Sequence, residues 1–512
     1  MVKTEFSYKF ENPFNVAAEW ICHLRGINRQ FFDNDVDRKA LPHIPQMHED
    51  VKAFLESLPN IRDSKILLRD GVPLKEKQQV QAWQHYEDFQ YMLEFLCQYT
   101  RKLDFKVLES SSYFHKITHT SDGKTKEFES LNTNAEETGL QILPFIKTIN
   151  DSLTPADESK ENAETQSSSV TEEEKKKTWS SDRMLGIHTE LSHIFYVETE
   201  KLNYNGRRYR AMHSFIGRHS FPEGKKILKI AVCPIAHEDL LNYVTYCKLD
   251  TKQGFFSITG LKDGQLVQDR IEAAFLKACE EQANIILFPE MLGTADLVSR
   301  RFFTSLRSKA AEQGYHMPEL ILMPTWWHEN KNELYVMDAG GRFLAVQQKQ
   351  NSFLYVPPKD GKNPQSCKED LIDPEPVIHI VHIPEVGRFA FPICKDDLHE
   401  EYVRLMLRYL RATFLLCPSY SPGKTEFSNT APGGIPYGCY TVWANTCAAY
   451  FEKKELPKYI GLANGPKATK TPMGYLIPEC KGECGGRHDA CVFLVEINMD
   501  RSANISYRHI HI

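Results

Sequence analysis

From about Lys225 to its C-terminus the sequence alternates short apolar runs with stretches of helical periodicity. No other feature constrains the fold as tightly. Apolar runs bounded by turn residues are too short for helices and fit strands buried on both faces, as in the core of a sheet. KILKIAVCPIA reads as the first strand and NIILFPE as the second. Between them Val267, Ile271, Phe275 and Ala278 recur at the spacing of one helix face. ELILMPT, ELYVMD, RFLAVQQK, GRFAFPIC and TFLLCPS read as further strands, with a helix carrying Tyr402, Val403, Met406, Leu407 and Leu410 before the last of these. The pattern predicts an α/β domain over residues 225–512.

The chain has 512 residues, too many for one ordinary core. Its sharpest change of composition is at 151–181, which is nearly devoid of apolar residues before Trp179. Such a stretch buries too little surface to offset the entropy of ordering, and it reads as a flexible linker. Upstream, residues 1–150 read as a mainly helical docking or regulatory domain. Val80, Trp83, Tyr86, Phe89, Met92, Leu93 and Leu96 mark one face of an amphipathic helix over 77–103, and shorter helices are expected over 16–24 and 51–58. Residues 182–224 read as a connecting arm with a hairpin, signalled by Asn205-Gly206. Arg207, Arg208 and Arg210 alternate there with Tyr204 and Tyr209, a composition a nucleic-acid surface would want. A solvated face or an interdomain clamp is the plainer reading, because a net charge of -6 provides no wider basic balance.

The N-terminal MVKTEFSYKFENPF has no apolar run of signal-peptide type, and no segment is apolar for long enough to span a bilayer. A cytoplasmic protein is expected. Thirteen scattered cysteines then read as reduced thiols and not as a disulfide framework.

Three residues at or just past strand ends carry chemistry, since ligands in open α/β sheets bind beyond the carboxyl ends of the strands. Glu290 follows the apolar run of IILFPEMLG, where partial burial would raise its pKa and suit it to proton transfer. Lys349 ends RFLAVQQK and, pointing inward, would be a fixed positive charge. Cys394 lies at a strand-to-helix junction in RFAFPICKDD, where a helix N-terminus would lower its thiol pKa and backbone N–H groups could hold an oxyanion. Taken singly, each has a bland alternative: a rim carboxylate, a solvated lysine and a small buried hydrophobe.

Taken in order, these motifs resemble those of the nitrilase superfamily of carbon–nitrogen hydrolases, over a little more than half the chain. IILFPEMLG is similar to the family's first motif, and GRFAFPICKDD to its cysteine elbow, with Asp396 two residues beyond Cys394. VWANTCAAYF, with Asn445, resembles the family's Ala-Asn strand. The resemblance implies a four-layer α-β-β-α sandwich and a Glu290, Lys349, Cys394 triad that hydrolyses a small-molecule amide or nitrile through a thioester. Glu290 would be the general base and Cys394 the nucleophile, with Lys349 and the backbone N–H of Lys395 stabilising the oxyanion. No cofactor is expected, and a homodimer or larger homo-oligomer is. Two features depart from the family. The segment after Lys349 has no nearby second glutamate, and Glu369 and Glu375, further on, are not expected to take its place. Lys395 stands where an aromatic residue often follows the cysteine.

A second cluster, Cys480, Cys484, His488 and Cys491, is a legitimate ligand set for structural zinc, although its intervals depart from those of zinc fingers. A glycine-rich turn with reduced thiols is the alternative. A non-enzymatic reading also stands: a nitrilase-fold assembly or effector module, as in bacterial antiviral systems, with the N-terminal domain sensing or docking a protein partner.

Overall fold

The computed structural model describes residues 116–119, 125–129, 140–144, 194–216, 227–248, 253–355, 366–383, 386–450, 459–466, 475–478, 490–499 and 505–512. The helices expected over 16–24, 51–58 and 77–103, the linker at 151–181, and Cys480, Cys484 and His488 lie outside these residues.

The chain divides into two compact units. In the first, residues 1–113, 130–147 and 151–201, Leu140–Pro144 pairs antiparallel with Ile194–Glu198. In the second, residues 114–129, 148–150 and 202–512, Lys116–His119 pairs with Thr125–Glu129. These short strands fall in or next to the half read as helical. Among the described residues no helix is long and apolar enough to cross a membrane.

The rest of the second unit is an α/β sandwich. Its elements in chain order are β1 (Arg210–Phe215), β2 (Ile227–Val232), β3 (Leu241–Cys247), β4 (Gly254–Leu261), α1 (Gly264–Glu280), β5 (Ile285–Leu287), α2 (Arg300–Glu312), β6 (Leu320–Leu322), β7 (Trp326–His328), β8 (Lys331–Asp338) and β9 (Phe343–Gln348). There follow β10 (Leu354–Tyr355), β11 (Cys367–Glu369), β12 (Val377–Ile383), β13 (Gly387–Ala390), α3 (Glu400–Arg404), β14 (Phe414–Pro418), α4 (Lys424–Thr430), β15 (Tyr440–Ala444), β16 (Tyr459–Asn464), β17 (Tyr475–Pro478), β18 (Cys491–Asn498) and β19 (Ile505–His511).

One sheet runs β7-β8-β6-β5-β2-β18-β19, with β9 also on β8. The other runs β17-β16-β15-β14-β13-β12-β1. Their facing residues share one core, in which Ile230, Leu287 and Val495 of the first meet Val381, Phe389, Phe414 and Trp443 of the second. The outer face of the first sheet packs on α1 and α2 through a separate core that includes Ile286, Val267, Phe275 and Leu306. The alternate residues of the second sheet, Ile378, Ile380, Ala390 and Leu415, are buried as well, as are Tyr402 and Met406 in the helical segment after Cys394. Two features fix α1. Asp263 caps its first turn, accepting from Leu266 N at 2.9 Å, and Val267, Ile271, Phe275 and Ala278 are fully buried.

The arm expected to precede this domain supplies part of it. The Asn205-Gly206 turn joins Asn203–Tyr204 to Arg207–Arg208, both turn residues having positive φ as a two-residue hairpin requires. Directly after it, β1 joins the edge of the second sheet parallel to β12. A small third sheet, β10-β11-β4-β3, was not foreseen.

Candidate active site

The carboxyl ends of β5, β9 and β13 bring Glu290, Lys349 and Cys394 to one buried place. Glu290 leaves β5 through a turn in which Met291 has φ +68 and donates its N–H to Thr325 Oγ1 at 2.8 Å. Gly293 completes the turn. A side chain there would stand 2.5 Å from the Pro324 carbonyl, so only glycine lets the two backbones approach. Glu290 has no solvent exposure. Its Oε1 accepts from Lys349 Nζ and from Asn332 Nδ2, both at 2.8 Å, and its Oε2 accepts from Tyr420 N at 3.0 Å. A carboxylate has about four lone-pair sites, so one acceptor direction remains for a further proton.

Lys349 is held from two sides. Its Nζ lies 2.8 Å from Glu290 Oε1 and 2.8 Å from Glu369 Oε2, with no solvent at any of the three side chains. Burial alone would lower its pKa. The carboxylates of Glu290 and Glu369, with the nearby Cys394, outweigh that and hold it well above the ordinary lysine value. Glu369 is thus the second carboxylate, overturning the expectation that no residue would take that place. It arrives on β11, which pairs parallel with β4, Phe256 opposite Glu369. Its Oε2 accepts from Phe353 N at 2.8 Å, and its pKa is raised, by burial first and by Glu290 too, against the pull of Lys349. Glu375, the other later candidate, is remote from this cluster in role: its N–H donates to Gln348 at 2.9 Å and its carboxylate lies 3.9 Å from Arg210.

Cys394 begins a short 3-10 turn, Cys394–Leu398, at the end of β13. Its φ of +47 is a strained conformation for a non-glycine residue, on the order of 1–3 kcal/mol, and persists only where the surroundings over-determine it. Asp396 does this. Its carboxylate accepts from Ile393 N at 3.3 Å, Gln350 N at 3.0 Å, Asn351 N at 2.8 Å and Asn351 Nδ2 at 2.9 Å. The elbow is thereby tied to the two residues that follow Lys349. Asp396 itself is buried, and that burial pushes its pKa up to about 7 against these donors.

The thiol departs from expectation. Burial pushes the Cys394 thiol up, Glu290 and Glu369 push the same way, and Lys349 and the Tyr420 N–H only partly oppose them. The local rule that a helix N-terminus lowers a thiol pKa loses here to desolvation, because the helix is one short turn and the sulfur is buried. At rest the residue is a thiol beside a carboxylate, not a free thiolate.

Asn445 stabilises the loop that supplies the Tyr420 N–H. Its Oδ1 accepts from Ser421 N at 3.0 Å, and its Nδ2 donates to Ser421 O at 2.6 Å and Tyr459 O at 3.0 Å. Of the arginines in the arm, Arg207 pairs with Asp373 at 2.6 Å and Arg210 approaches Glu375, so these two clamp the segment leading into β12. In the candidate zinc set, Cys491 lies in β18 and packs into the core between the sheets. Among the described residues no group of three or more potential ligands could hold a metal ion.

Several solved structures are similar to this chain at low sequence identity. A mutant of the amidase from Nesterenkonia sp. in complex with butyramide is 16% identical, over 57% of this chain and 92% of that one, with a TM-score of 0.33. Saccharomyces cerevisiae Nit3, a member of branch 10 of the nitrilase superfamily, is 13% identical over 55% of this chain and 89% of its own, with a TM-score of 0.33. A carbon-nitrogen hydrolase from Helicobacter pylori is 12% identical over 56% and 89%, with a TM-score of 0.29. No family model and no curated protein matches the chain.

Proposed function

We propose that the α/β unit is a cysteine hydrolase of the nitrilase type, cleaving a non-peptide carbon–nitrogen bond of an amide or nitrile. The observation that carries this reading is the lysine buried between two carboxylates beside a buried, strained cysteine. Such a charged cluster costs several kcal/mol to desolvate and is a poor way to stabilise a fold, so it points to chemistry.

For an amide, Glu290 takes the thiol proton of Cys394 as the sulfur bonds to the carbonyl carbon. The carbonyl electron pair moves to oxygen, where Lys349 and the N–H of Lys395 stabilise it. The pair then returns, the C–N bond breaks, and Glu290 delivers its proton to the departing nitrogen. Water next attacks the thioester and gives a proton to Glu290, the C–S bond breaks, and the proton returns to sulfur. A resting thiol suits this sequence, since the carboxyl group that takes its proton is already in place beside it. Glu369 supports it by keeping Lys349 cationic and oriented. A nitrilase-type site lacking a second glutamate would fit a non-enzymatic module better than a hydrolase, and Glu369 beside Lys349 supports the hydrolase.

The test is alkylation of Cys394 by iodoacetamide, mapped by peptide mass. Glu290→Gln is expected to slow it about 10²-fold or more, the usual contribution of a general base. Equal rates in the two proteins would refute the reading. Ammonia release from a panel of amides and nitriles then identifies the bond.

A further inference from the structure

We propose that the hairpin arm at 202–210 is a clasp on the cysteine elbow, with Tyr204 a positioning residue that acts on Cys394 through Asn351 and Asp396. The argument starts from burial. Tyr204 and Tyr209 lie in a strongly polar segment, yet they are 6% and 2% exposed. Both rings pack on Tyr402 in the helical segment after the elbow, with centroids 5.5 and 5.6 Å away, and Tyr204 also meets His399 edge-on at 6.3 Å. Packing alone would be met by phenylalanine. The hydroxyls have specific acceptors instead: Tyr204 donates to Asn351 Oδ1 at 2.8 Å, and Tyr209 to Gln350 Oε1 at 3.0 Å.

The first of these bonds fixes the orientation of the Asn351 amide. With Oδ1 engaged, Nδ2 is aimed at Asp396, 2.9 Å away. Asp396 in turn holds the Ile393 and Asn351 N–H groups around Cys394 in its positive-φ conformation. A relay of three side chains thus runs from the arm to the nucleophile. The arm directly follows the last of the chain's crossings from the first compact unit into the second.

This inference rests on the hydrolase reading, and the two fail differently. The full-length protein is alkylated with iodoacetamide between about pH 5 and pH 9, and the rate at Cys394 is followed for wild type, Glu290→Gln, Tyr204→Phe and Asn351→Ala. The groups facing Asp396 are Lys349, the Gln350 and Asn351 amides, its neighbour Asp397, and Tyr204, Tyr209 and Tyr402. The clasp works while Asp396 is ionised, so reactivity falls as the pH drops through about 7. Tyr204→Phe frees the amide to rotate and removes one donor from the carboxylate. The midpoint of that fall then moves up by roughly one pH unit, and Asn351→Ala moves it the same way. Purely structural loosening would lower the rate at every pH and leave the midpoint alone. If Glu290→Gln matches wild type, the hydrolase reading falls. If Glu290→Gln is slow but Tyr204→Phe and Asn351→Ala keep the wild-type midpoint, the clasp falls and the hydrolase stands.

Discussion

Lys349→Met would test the buried charge cluster directly. In the folded protein Lys349 Nζ serves Glu290 and Glu369 at 2.8 Å each, and all three side chains are fully removed from solvent. Methionine fills much the same volume but leaves two carboxylates in one dry site. Glu290 would keep only the Asn332 amide and the Tyr420 N–H as donors, and Glu369 the Phe353 N–H. Two ionised carboxylates so placed repel, so at least one must take a proton. Holding a carboxyl protonated far above its unfolded pKa of about 4.3 costs about 1.4 kcal/mol per pH unit. That is roughly 5 kcal/mol at pH 8 and roughly 1 kcal/mol at pH 5, in line with the 3–5 kcal/mol typical of a broken buried pair. The sign follows from proton uptake: in the variant the folded state binds the extra proton, so its stability falls as the pH rises above the unfolded value. Urea unfolding of wild type and variant, followed by tryptophan fluorescence at both pH values, gives the two differences. Adding Glu369→Gln to the variant should restore most of the loss at pH 8. A loss under about 1 kcal/mol at pH 8, or the same loss at both pH values, would refute the charge assignment.

Three further outcomes are expected. Glu369→Gln keeps one oxygen, at the Oε2 position, that both Lys349 and the Phe353 N–H reach, so it should melt close to wild type yet release ammonia from substrate at least about 10-fold more slowly; undiminished turnover would remove Glu369 from the site. Gly293→Ala puts a methyl against the Pro324 and Thr325 carbonyls at 2.5 and 2.8 Å, so it should cost about 1–3 kcal/mol in thermal unfolding, and an unchanged melt would contradict the close approach. Arg207→Ala breaks an ion pair whose partner Asp373 is 81% exposed, so its stability cost should stay below about 1 kcal/mol, and a larger loss in urea would mean the clamp bears more of the fold than its exposure implies.

The central strands were legible in the sequence because burial on both faces leaves unbroken apolar runs, and β5, β6 and β14, buried at every position, all lie in such runs. The strand ends then pointed to Glu290, Lys349 and Cys394, since each lies at or within a few residues past the end of its strand. The small third sheet was not legible. Its strand β3 is exposed at six of seven positions, and β11 is a three-residue strand, CKE, without an apolar pattern. Glu369 reaches the site only because β11 lies parallel to β4, a pairing of residues 113 apart that leaves no local mark. The thiol shows the same limit from another side. Its neighbours in sequence favour a thiolate, and its neighbours in space do not.

The position of the C-terminal hairpin has a consequence for how the protein is made. β18 pairs antiparallel with β2, the first strand of the large sheet, and β19 then forms that edge. While the chain is still being synthesised, β2 has a partner on one side only, and the unpaired N–H and C=O groups of its other edge stay open until β18 emerges. High contact order of this kind slows folding and lengthens the exposure of aggregation-prone edges. A truncation before Cys491 would make that open edge permanent, and such a product is expected in inclusion bodies or bound to chaperones, whatever the state of its active-site residues.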